Sequence, residues 1–182
     1  MFLLFIFLIC IFVALGAGAM ASLSDIRGLT IPNLYSAVVI GSFVVAYIVL
    51  WLFGRDDVFF SLLSHFLGAL LVFGVTAGMF ALGGIGAADS KLATAYALWA
   101  GLSGLGGFLL YTTIGGGILA VMALAMKKWK PFKNPPAGSW PARVQAGESK
   151  VPYGVAIVFG ALASFVNLGY LGGAVLSSFL LS

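Results

Sequence analysis

Apolar residues run along this chain in long unbroken blocks, and polar residues are confined to the short stretches between them. Residues 1–24, 28–54, 58–88, 92–126 and 151–182 contain no Lys, Arg, Asp or Glu. An α-helix needs about 20 apolar residues to cross a bilayer, and every block clears that length. The pattern therefore predicts an all-α, polytopic integral membrane protein, with residues 1–182 forming a single membrane-embedded domain.

Spans are expected at about 2–23, 32–54, 58–80 and 153–180. Pro32 suits the first turn of its helix, where its missing N–H would be unpaired anyway. The block 92–126 is too long for one straight crossing and short for two. Gly101, Ser103, Gly104, Gly106 and Gly107 cluster in its first half, so a tight turn is expected there between spans at about 90–101 and 108–126. Six transmembrane helices result. That count places Arg27, Lys91, Lys127, Lys128, Lys130, Lys133, Arg143 and Lys150 on one side and leaves only Arg55 opposite. Five spans would split the basic residues less unevenly, so the positive-inside rule favours six. Either count puts Asp25 and Asp89 on the same side. Residues 2–14 followed by Ala19-Met20-Ala21 have the look of a secretory signal, but no Lys or Arg precedes Arg27. The segment is therefore expected to stay as a first span.

Composition agrees with a membrane protein and removes other classes. Only 8% of residues are charged, against about 25% in soluble proteins. The net charge of +4 could suggest nucleic acid, but the basic residues gather at span ends, not across one accessible face. No nucleic-acid partner is expected, and the bilayer is. A single cysteine, Cys10, excludes an internal disulfide and any Cys-based zinc cluster; it reads as a small apolar side chain. A lone His65 anchors no metal and is expected to pack or bond between helices. No metal and no cofactor are predicted. Most of the 25 glycines are expected to let helices approach, as in Gly74-x-x-x-Gly78. Gly16-x-Gly18-x-x-Ala21 mimics a dinucleotide fingerprint but lies inside a span with no strand before it. Residues 127–150 carry six basic residues and four prolines, which predicts an irregular basic loop. Its ordinary role is anchoring at anionic headgroups, with substrate guidance as the alternative.

Five acidic residues can be weighed one at a time. Asp56 and Asp57 follow Arg55 in a short polar turn, and Glu148 belongs to the basic loop. Asp25 follows the first span, and Asp89 follows Gly83-Gly84-Ile85-Gly86-Ala87-Ala88. A carboxylate at a helix end escapes most of the penalty of mid-bilayer burial, so two helix-ending aspartates are one explanation. An aspartic-protease pair is the other. At about 4 Å and an effective dielectric of about 20, two such charges repel by roughly 4 kcal/mol. That keeps one of them protonated, so the pair combines an acid with a base.

The segments around these acids resemble one family. Gly83-Gly84-Ile85-Gly86-Ala87-Ala88-Asp89-Ser90-Lys91-Leu92 is similar to the second-aspartate signature of type IV prepilin peptidases. Asp25-Ile26-Arg27 with Ile31-Pro32-Asn33 resembles that family's first-aspartate segment, and Pro152-Tyr153-Gly154-Val155-Ala156-Ile157 resembles the start of its final helix. One departure stands in the GxGD motif, where Ala88 replaces the second glycine. The resemblance implies a GxGD-type membrane aspartic endopeptidase of the bacterial inner membrane, with Asp25 and Asp89 catalytic on the cytoplasmic side. Gly84 and Gly86 would shape the loop, Lys91 would orient Asp89, and Pro32 and Asn33 would fix a helix entry. The substrate would be a prepilin or pseudopilin, cut after a glycine ahead of its hydrophobic segment. Longer family members add a cysteine-rich domain and methylate the new N-terminus. This chain resembles the short Flp/Tad-type form, for which peptidase activity alone is expected. The other function classes are a small proton-coupled transporter and a non-catalytic scaffold of a pilus or secretion system.

Overall fold

Inside lipid a backbone can satisfy its N–H and C=O groups only within its own helix or in a closed barrel, and apolar blocks of this length take the helical solution. The computed structural model describes residues 1–179, apart from the side chains of Asp56 and Ala174, and these residues contain helices and no strand. In chain order they are α1 (Phe2–Gly28), α2 (Asn33–Leu52), a 3-10 turn (Asp56–Phe59), α3 (Leu62–Ala81), α4 (Ala87–Trp129), α5 (Trp140–Gln145), α6 (Tyr153–Asn167) and α7 (Gly173–Ser178). Four helices, α1 to α4, are long and apolar enough to cross a membrane, and α6 is a shorter apolar helix. Leu70, Val75 and Val121 are among the large apolar side chains turned outward, as a lipid-facing surface requires.

α4 is two limbs. Forty-three residues in one straight helix would span about 64 Å, yet Asp89 near its start and Lys127 near its end line the same cavity. The chain doubles back at Gly101, whose φ of 59° and ψ of −179° lie in a region essentially reserved for glycine. We call the limbs α4a (87–100) and α4b (102–129). Ser64 and His65, at the start of α3, hold the reversal. The Leu102 N–H donates to Ser64 Oγ at 3.0 Å, and the His65 ring presents Nδ1 to the Leu98 carbonyl at 2.7 Å and Nε2 to the Phe59 carbonyl at 2.8 Å. Backbone groups orphaned where one helix stops and the next begins are satisfied by this dipeptide. With α1, α2, α3 and α6, the two limbs make six helical segments, but by length and composition only α1 to α4 qualify as membrane spans.

Several boundaries differ from expectation. The reversal occupies Gly101 alone; Gly104 and Gly107 are helical and press α4b onto α6, where added Cβ atoms would lie 2.8 Å from Leu168 Cδ1 and 3.1 Å from Asn167 Nδ2. α1 continues past residue 23 to Gly28, closed by Leu29 in the left-handed region (φ 52°), whose N–H donates to the Asp25 carbonyl at 2.7 Å. The final block is not one span: α6 stops at Asn167, Gly169 turns the chain at φ 75°, and α7 follows; residue 180 of the expected span lies outside the described residues. Gly74 and Gly78 meet no atom within 4 Å of an added Cβ and face outward, so they do not pack helices within this chain. Gly18 does, since a Cβ there would strike the Tyr96 hydroxyl, which donates to the Ala14 carbonyl at 2.7 Å.

The segment 127–150, which we call the cap, is irregular over most of its length, as expected, but it is not wholly without helix. α4b runs into it as far as Trp129, and α5 forms within it. Pro141 sits in the first turn of α5, where proline breaks no bond. Trp140 and Val144 bury themselves against Leu119, Ala123 and Met126 of α4b.

α4b and α6 approach closely at Gly160, where an added Cβ would lie 2.6 Å from the Phe108 carbonyl and 2.9 Å from the Thr112 nitrogen, and against Thr112 Oγ1. Backbone cannot yield as a side chain does, so the helices must separate. Gly160→Ala is expected to destabilise the protein by about 1–3 kcal/mol, read as a lower midpoint in denaturant-detergent titration. An unchanged midpoint would refute the close approach.

Candidate active site

The aromatic core, with Phe7, Phe43, Phe59, Trp99, Phe165 and Tyr170 fully or almost fully buried, fills the end of the bundle that carries Arg55. The opposite end, where the other basic residues gather, holds a cavity of about 640 Å³. Asp25, Asp89 and the loop Gly83-Gly84-Ile85-Gly86 border it, with Ala120, Ala123, Leu124 and Lys127 of α4b, and Glu148 to Val151 and Tyr153 from the end of the cap and the start of α6. That volume lies in the range of small-ligand pockets.

Asp25 lies in the last turn of α1 and is 5% exposed. Its Oδ2 accepts the N–H of Gly154 at 2.8 Å. Gly154 stands in the first turn of α6, where that N–H has no partner within the helix. Asp89 lies in the first turn of α4a, which starts at Ala87, a few residues before the span expected from about residue 90. Gly86 is the N-cap of α4a, in an extended conformation (φ −75°, ψ 147°). Its N–H faces the Asp89 carboxylate, and an added Cβ would lie 2.7 Å from Asp89 Oδ2. An acidic residue three positions after an N-cap, turned back on it, is half of a capping box. Both carboxylates border the same cavity, Asp25 from the end of α1 and Asp89 from the start of α4a.

Two struts fix the turn that carries Asp89. Ser90 is buried and its Oγ bonds Thr76 Oγ1 of α3 at 2.7 Å, while Lys91 Nζ donates to Asn33 Oδ1 of α2 at 3.0 Å. Residues 89, 90 and 91 thus point to the cavity, to α3 and to α2. Of the residues singled out in the sequence, Asp25, Asp89, Gly84 and Gly86 come together at the cavity. Lys91 does not border it, and its ammonium is engaged by Asn33 instead of Asp89. Asn33 opens α2 directly after Pro32, as a helix-entry residue should. The place of Gly154 against Asp25 carries no signal that sequence could show, because a backbone N–H belongs to every residue type except proline.

Ala88 lies in the helical first turn of α4a, with no positive φ and its methyl against the core. The position does not demand glycine. Ala88→Gly is expected to leave activity within about twofold and to lower stability by about 0.5–1 kcal/mol, the usual effect of glycine in a helix. A large gain of activity in this variant would show that the methyl obstructs the site.

No match to the chain is found among curated proteins or among solved structures. Residues 2–121 match the type IV leader peptidase family. That stretch contains Asp25, Asp89, the glycine loop and the reversal at Gly101, and it ends before the cap and α6. Its length, the apolar helices and the paired acids at one cavity agree: this chain is a membrane peptidase and belongs to the type IV leader peptidase family.

Proposed function

We propose that the protein is an aspartic endopeptidase of the bacterial inner membrane that removes the cytoplasmic leader of Flp-type prepilins or pseudopilins. The observation that carries this is the convergence of Asp25 and Asp89, from the last turn of one helix and the first turn of another, on one cavity beside a glycine loop. The loop narrows side-chain bulk where a peptide backbone has to come close.

The two carboxylates share one proton. The ionised one takes a proton from water as the water oxygen attacks the scissile carbonyl, and the protonated one gives its proton to the carbonyl oxygen. The tetrahedral intermediate then collapses: the C–N bond breaks, the amine leaves with a proton from the pair, a hydroxyl of the intermediate returns its proton to the ionised aspartate as the C=O bond re-forms, and the carboxylic acid product keeps the water oxygen. No cofactor enters these steps. With the eight basic residues at the Asp end of the bundle, the positive-inside rule supports a cytoplasmic site.

The test uses purified protein in lipid nanodiscs with a Flp-type prepilin, read by mass spectrometry. The expected result is a mature pilin and a leader ending in glycine. An intact prepilin after prolonged incubation with folded enzyme would overturn the proposal, and ion or solute flux in proteoliposomes would then favour a transporter.

A further inference from the structure

Asp89 is positioned by its own helix and by struts from α2 and α3, whereas Asp25 depends on a distant part of the chain. Its contact is the Gly154 N–H, 129 residues away in sequence. Ser22, one turn before Asp25 on α1, donates its hydroxyl to the carbonyl of the same Gly154 at 3.4 Å. α1 therefore grips one glycine of α6 through both of its backbone groups. The fit is close: a Cβ at position 154 would lie 3.0 Å from Asp25 Oδ2 and 2.8 Å from Ile31 Cδ1. The start of α6 is itself tied down, because Trp140 Nε1 donates to the Lys150 carbonyl at 3.0 Å, and Lys150, Val151 and Tyr153 all border the cavity.

From these contacts we propose that Gly154 is a positioning residue: the first turn of α6, carried by the folded cap, sets the carboxylate of Asp25 against that of Asp89. This rests on the aspartic-peptidase mechanism above and extends it to a segment outside the family match. One oxygen of Asp25 is committed to Gly154, which leaves the other to serve water and substrate. A side chain at position 154 displaces the carboxylate without touching the substrate path of the glycine loop. Chemistry suffers and binding does not.

The test compares Gly154→Ala, Ile31→Val and the double variant in the nanodisc prepilin assay, with Asp25→Asn and Asp89→Asn as controls. Valine removes the Cδ1 that an alanine at 154 would meet and leaves the contact with Asp25 in place. Gly154→Ala is expected to lower kcat by about 10–100-fold, the usual loss for a small misplacement of a reacting group, with KM within about twofold. Ile31→Val is expected to stay near wild type, and the double variant to stay as slow as Gly154→Ala. Wild-type kcat in Gly154→Ala, a change in KM alone, or recovery in the double variant would overturn the proposal; recovery would assign the effect to packing on Ile31. If Gly154→Ala does not fold, the double variant decides by itself: slow supports the proposal and wild-type speed overturns it. Cleavage by the Asn controls would sink the mechanism itself. Silent controls beside a fast Gly154→Ala would sink only the role of Gly154.

Discussion

Asp25→Asn and Asp89→Asn should each lower prepilin cleavage by about 10²–10⁴-fold, the share general acid–base catalysis supplies. Asparagine keeps the shape of the side chain. At position 25 its amide oxygen still accepts the Gly154 N–H, so the contact between α1 and α6 survives and the fold should be retained. What disappears is the ability to hold and exchange a proton. Because the two acids work as one unit, their losses should not add: the double variant should be about as slow as either single one. Leader release measured in nanodiscs, with helical content checked in parallel, decides this. Cleavage surviving in either single variant, or losses that multiply, would separate the two residues.

Gly101→Ala should destabilise the protein by about 2–4 kcal/mol. The backbone there lies where an L-residue is strained by about 1–3 kcal/mol. The new methyl would also sit 3.2 Å from His65 Cε1 and Nδ1 and 3.3 Å from Ser64 Oγ, the side chains that cap the two limbs. Relief of either clash breaks a bond to Leu98 or Leu102. Activity should fall too, since α4b brings Ala120, Ala123 and Leu124 to the cavity wall. An unfolding midpoint within about 0.5 kcal/mol of wild type, the range of an ordinary surface change, would mean that the reversal does not need glycine.

Charge scarcity made most of the architecture readable from sequence. Few charges in long apolar blocks leave little choice but membrane helices, and the excess of basic residues on one side ordered them. The reversal was legible as an excess of glycine, but its position was not. Gly101, Gly104 and Gly107 are the same letter, and only the neighbours Ser64 and His65 distinguish a broken backbone from a packing surface. The short helix within the cap was hidden for a related reason. Proline opposes a helix interior, yet Pro141 occupies the one turn that tolerates it, and Trp140 and Val144 gain their burial from α4b, far off in sequence. At the site, the acids stood out because the chain has only five, and the glycines before Asp89 gained meaning from standing next to it. Lys91 was drawn to Asp89 by proximity in sequence, but residues two apart on a helix do not face each other, and Lys91 reaches Asn33. Gly154 was hidden because its contribution is a backbone group placed by tertiary structure.

The central claim is that Asp25 and Asp89 act together on one scissile bond. Its most direct test is an experimental structure of the wild-type protein in nanodiscs with a prepilin peptide whose scissile amide is replaced by a hydroxyl-bearing isostere. Both carboxylates are expected within hydrogen-bond reach of that hydroxyl, at about 2.6–3.2 Å, with Asp25 still accepting the Gly154 N–H. A hydroxyl bound by one aspartate with the other turned away, or a peptide seated outside the cavity, would contradict it.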